Sequence, residues 1–121
     1  MKSTKLVVKI TAGSDDPERC AQGFTVASTA LASGAQVSLW LTGEAAWFAL
    51  AGKCEEFDLP YSAKLADLRD AILAGGQITL CTQCAVRRGI NDGDQIPGII
   101  IAGAASFVEE IMESGVQALV Y

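Results

Sequence analysis

Short apolar runs and helical apolar spacings take turns along this chain, and their alternation predicts its elements. Leu6 to Thr11 reads as a first strand. Asp15-Asp16-Pro17-Glu18 opens a helix, with aspartate as N-cap, proline in the first turn and an acid near the positive dipole end. Cys20, Phe24, Ala27 and Leu31 recur at helical spacing and are expected to face a sheet, and Ser33-Gly34 stops that helix. Gln36 to Leu41 makes a second strand. Thr42-Gly43-Glu44 turns into a short apolar helix carrying Trp47, Phe48 and Leu50. Cys54 to Tyr61, with Pro60, is the least regular stretch and leaves Cys54 free to face solvent. Leu65, Leu68 and Ile72 form the apolar face of the next helix, which Gly75-Gly76 ends. Gln77 to Leu80 is a third strand, with a short helix running on through Cys81, Cys84, Arg87 and Arg88. Asn91-Asp92-Gly93-Asp94 is turn chemistry. Ile99-Ile100-Ile101 reads as a fully buried strand. After it comes a helix with Phe107, Val108, Ile111 and Met112 inward and Glu109, Glu110 and Glu113 outward. Val116 to Tyr121 is the final strand.

Five strands joined by helical crossovers predict one domain over residues 1–121. The expected architecture is a three-layer α/β/α sandwich around a five-stranded, mainly parallel sheet, flavodoxin-like in general layout. In such sheets the loops at the carboxyl ends of the strands gather on one edge, and ligands bind there. Three loops therefore matter: Gly13 to Asp16, Thr42 to Glu44, and the one beginning at Cys81. Gly13, Ser14 and Gly43 become candidates to line a pocket through their backbone N–H groups, although turn chemistry explains them equally well.

Composition narrows the classes of function. Half of the 121 residues are hydrophobic and 19% are charged, so burial is ample. Apolar surface left over on so small a chain is expected to be covered in a homo-oligomer. A net charge of −5 without any basic stripe argues against nucleic acid and an anionic membrane as partners. Lys9 interrupts the apolar run Leu6-Val7-Val8, which is too short for a signal-peptide core, and no transmembrane stretch is present. A cytoplasmic location, where thiols stay reduced, is the expectation.

Four cysteines and no histidine then direct attention to one segment, Leu80-Cys81-Thr82-Gln83-Cys84-Ala85-Val86-Arg87-Arg88-Gly89-Ile90. Without imidazole, any chemistry at Cys81 draws its activation from backbone N–H groups and from cations. A cysteine at a helix start meets unpaired N–H groups that favour thiolate over thiol. Arg88, close to the same helical face, and less directly Arg87, would add positive potential. Cys84 at i+3 is placed to form a disulfide with Cys81 or to attack a sulfur carried on it. Three functions stay open on these residues: sulfur transfer, dithiol–disulfide exchange of the C-x-x-C kind, and a binding or scaffold module whose cysteines merely pack. Cys20 reads as core. One close cysteine pair with two scattered ones does not make a zinc site. Asp15 and Asp16 suit helix capping better than a receiver-type acidic pocket, which also needs an aspartate where Cys81 stands. Neither GxGxxG nor GxxxxGK[ST] occurs, and no cofactor is expected.

The segment from Ile78-Thr79-Leu80-Cys81 to Arg87-Arg88-Gly89-Ile90 resembles the active-site segment of the DsrE/DsrF-like (TusD-like) family of intracellular sulfur-relay proteins. In that family a cysteine at a strand end is followed, six residues on, by an Arg-Gly-Ile ending. The wider pattern of strand, polar loop, Ala/Ser-rich helix and strand with a Gly-containing turn is similar over essentially the whole chain. The resemblance implies that Cys81 is the persulfide-carrying cysteine and that sulfur passes from a donor to an acceptor thiol, protein or small molecule. It also implies a five-stranded parallel sheet and assembly into trimers or hexamers. Cys84 departs from the family pattern, and the resemblance gives it no role.

Overall fold

The computed structural model describes residues 4–121. In chain order the elements are β1 (Lys5–Ile10), α1 (Pro17–Ala32), β2 (Gln36–Leu41), a 3₁₀ helix (Gly43–Ala49) and α2 (Lys53–Glu56). They continue with α3 (Leu65–Gly75), β3 (Gln77–Cys81), α4 (Thr82–Arg87), β4 (Ile100–Ala102), α5 (Ala104–Ile111) and β5 (Val116–Val120). The strands form one sheet in the order β4-β3-β2-β1-β5, and every pairing is parallel. No helix among the described residues is long and apolar enough to cross a membrane.

This order dictates which face each helix covers. The chain steps β1, β2, β3, β4 in one direction, so right-handed crossovers lay α1, α3 and α4 on one face. The return from β4 to β5 runs the other way and lays α5 alone on the opposite face. Alternation along the strands matches. Val8, Ile10, Val37, Leu39, Leu41, Ile78 and Leu80 join Cys20, Phe24, Ala27, Leu65 and Ile72 in a single buried core beneath α1 and α3. Asp16 caps α1, its carboxylate accepting from the Arg19 N–H, and Pro17 holds the first position, as the sequence signals.

The face under α5 is built differently. It carries Lys5, Val7 and Lys9 of β1, Ser38 and Trp40 of β2, and Thr79 of β3, in register across the sheet. Trp40 and Phe107 meet edge to face with centroids 5.3 Å apart. Glu110, expected to point outward, turns inward: one oxygen accepts from Ser38 Oγ and Trp40 Nε1, each at 2.8 Å, and the other lies 3.3 Å from Lys5 Nζ. Val108 and Met112, expected inward, are 52% and 76% exposed. The isoleucine run is also not a fully buried strand. Ile99 is buried but precedes β4, and Ile100, on the α5 face of an edge strand, is 46% exposed. A single eight-residue helix is too short to cover five strands, so inward-looking apolar positions at the margins stay open.

Candidate active site

Cys81 ends β3 at the carboxyl edge of the sheet and is the N-cap of α4, so the predicted strand-to-helix junction falls on its own backbone. Leu80 points into the core; alternation therefore turns Cys81 to the face that α5 covers. The thiol is half-buried. Burial opposes its ionisation, but the Cys84 N–H, the Cys84 thiol, the Gln83 N–H and the charge of Lys9 together hold its pKa below the ordinary thiol value. Lys9 was not singled out from sequence. It stands on β1, two strands away, and only the parallel register brings it to the same sheet face.

Cys84 is buried one turn into α4, packed with Ala85 into the main core. The N–H of Gly43 donates to its sulfur at 3.2 Å, which links the start of the 3₁₀ helix to the cysteine pair. Gly43 has φ +53, and a Cβ there would strike the Thr11 carbonyl. A Cβ on Gly13 would come within 2.5 Å of the Glu44 carbonyl oxygen. The loops after β1 and β2 thus approach backbone to backbone, and that close approach aims the Gly43 N–H at Cys84. Ser14 is exposed and lines a cleft of about 310 Å³ with Glu44, Trp47, Phe48, Lys53, Glu56 and Phe57, a lining that contains neither Cys81 nor Cys84.

The arginines go elsewhere. Arg88 donates through Nε and Nη2 to one oxygen of Glu44, at 3.0 and 2.8 Å, and through Nη1 to the Cys84 carbonyl. Its charge is matched by Glu44, and it ties the end of α4 to the 3₁₀ helix. Arg87 is exposed. Cys20 and Cys54 are both buried, and burial pushes each thiol up to about 12. Cys54, left free to face solvent by the irregularity of its segment, is the buried residue of α2, with its thiol 3.7 Å from the Phe48 carbonyl. No group of three or more Cys, Asp or Glu side chains among the described residues is arranged to hold a metal ion.

Comparison with known proteins agrees with the family resemblance. The sequence profile of the DsrE/DsrF-like family matches residues 4–120. An uncharacterised protein of Methanocaldococcus jannaschii, MJ0760, is 32% identical over 117 residues, covering 96% of this chain. The chain spans only 42% of that relative's length. Among solved structures, YchN of E. coli superposes with a TM-score of 0.78 at 18% identity, all of both chains being covered. MTH1491 of Methanobacterium thermoautotrophicum, a protein of unknown function, follows with 0.69 at 12% identity, covering 97% of this chain and 98% of that one. At such identities the two structures establish a shared fold.

Proposed function

The chain belongs to the DsrE/DsrF-like family, and from that premise we propose that it is a sulfur carrier whose working atom is Cys81 Sγ. The Cys81 thiolate attacks the outer sulfur of a donor persulfide, R–S–SH. A bond forms between Cys81 Sγ and that sulfur while the donor's S–S bond breaks, and the electron pair leaves on R–S⁻. Cys81 is left as a persulfide. An acceptor thiolate, on a protein or a small molecule, attacks the outer sulfur in turn and Cys81 departs as thiolate. Neither transfer involves net oxidation. The observation that carries this reading is the contrast among the four thiols: Cys81 is half-buried at the carboxyl edge of the sheet with its pKa held below the ordinary thiol value, while Cys20, Cys54 and Cys84 are buried.

Cys84 supports a second step. It stands three residues on from Cys81 in α4, and in this step its thiolate attacks Cys81 Sγ, closes a disulfide and expels HS⁻. Gly13, Ser14 and Gly43 belong to this proposal as the shapers of the rim, and the arginines as its cations: Arg87 is exposed, and Arg88 would reach sulfur only by leaving Glu44. The cycle needs a reducing compartment, which favours the cytoplasm. Assembly as a homotrimer or homohexamer is supported by Ile100, Val108, Met112 and Val120, large apolar side chains exposed around the α5 face.

The reduced protein, incubated with a persulfide donor, is expected to gain one sulfur atom per chain, located by mass spectrometry on the peptide containing Cys81. Cys81→Ser abolishes the gain, and Cys84→Ser preserves or prolongs it. An internal disulfide in the wild type together with no sulfur adduct on Cys84→Ser favours the dithiol oxidoreductase instead, and no change in either protein favours a scaffold.

A further inference from the structure

Lys9 is the cation the sequence did not point to. It sits on an interior strand of the sheet, half-buried on the α5 face, where a strand position ordinarily holds an apolar residue. Among the described residues, no carboxylate lies within ion-pair distance of its ammonium group, whereas Lys5 on the same strand reaches both Glu110 and Glu113. Instead Nζ lies over the Phe107 ring, 5.0 Å from its centroid. An aromatic face holds an ammonium in place without cancelling its charge. Phe107 is itself fixed edge to face on Trp40. Trp40 is in register with Lys9 on one side and Thr79 on the other, and Cys81 is the next residue along β3 on that face.

We propose that Lys9 is the electrostatic partner of Cys81, its unneutralised ammonium positioned by Phe107 to stabilise negative charge on the Cys81 sulfur. The stabilisation applies to the thiolate and, on the carrier reading above, to the persulfide anion as well. Other charged or titratable groups near Cys81 are differently occupied. Cys84, in α4, accepts from the Gly43 N–H; from the 3₁₀ helix, Glu44 is paired with Arg88; from α5, Glu110 is held at Ser38, Trp40 and Lys5. Lys9 thus supplies the positive potential that an imidazolium would give in a histidine-containing thiol site.

The test is the pH profile of alkylation at Cys81, read peptide by peptide by mass spectrometry. In Lys9→Met the midpoint moves to higher pH, and alkylation at neutral pH slows roughly three- to tenfold. Lys9→Arg, which keeps the charge, retains the wild-type midpoint. Lys9→Gln serves as a second neutral variant, and circular dichroism verifies that each variant is folded. Folded neutral variants with an unshifted midpoint overturn the proposal, as does an equal shift in Lys9→Arg. Sulfur loading of the wild type is measured separately. A Lys9-dependent midpoint without loading removes the carrier reading but leaves the electrostatic pairing; loading with a Lys9-independent midpoint does the reverse.

Discussion

A thiol's usefulness is set by what lies within a few ångströms of its sulfur, and this chain holds contrasting cases. Cys20 and Cys54 are buried, which makes ionisation costly, so at neutral pH they are small hydrophobes. Cys81 differs because a strand end leaves backbone N–H groups unpaired beside it and the half-buried Lys9 shares its face of the sheet. Residues without chemistry of their own hold the pair. Gly43 adopts φ +53 against the Thr11 carbonyl while its N–H donates to Cys84, so any side chain there forces the two loops apart. Gly43→Ala is expected to cost about 1–3 kcal/mol in urea unfolding, as a strained position with a steric clash does. A loss well below 1 kcal/mol would show that the loop yields easily.

At the scale of elements, the irregular stretch after the 3₁₀ helix is held by one buried cation. Arg69 on α3 donates through Nη1 and Nη2 to the two oxygens of Glu55 on α2, at 3.0 and 2.9 Å, and through Nε to Asp70. A fork of this kind joins the two helices where little apolar surface does. The Arg69 hydrogen bonds lower the Glu55 carboxyl to about 2. Its folded-state value therefore lies below its unfolded value of roughly 4.3. The stability Glu55 contributes is present above that unfolded value and is lost as pH falls through about 2. Glu55→Gln should accordingly be less stable than wild type at neutral pH, with thermal midpoints converging as pH is lowered from about 4 toward 2. Midpoints separated by the same amount at every pH would contradict the pairing. The α5 helix shows how element reasoning goes astray: its apolar periodicity is real, but Val108 and Met112 have no sheet beneath them, and Glu110 finds partners on Ser38, Trp40 and Lys5 that no local pattern announces.

For the whole molecule, winding in one direction through four strands and returning once leaves a well-filled core on one side and a thin cover on the other. Ile100, Val108, Met112 and Val120 are the apolar margin of that thin cover. If assembly hides it, Val108→Glu with Met112→Glu will shift the protein toward monomer in analytical ultracentrifugation while circular dichroism stays unchanged. A wild type already monomeric at the same concentration would remove the oligomer from the proposal. The sequence by itself determined the five strands, the parallel α/β class, the α1 cap and the placement of Cys81 at a strand-to-helix junction. Each rests on periodicity, or on capping and turn residues a few positions apart, and such signals are local. It did not determine which cation shares a sheet face with Cys81, which way Glu110 turns, or that Cys54 is buried. Those depend on register between strands far apart in sequence and on which face a crossover lands. Tertiary structure decided them: Arg88 is matched by Glu44, and the parallel register sets Lys9, seventy-two residues before Cys81, on the Cys81 face of the sheet.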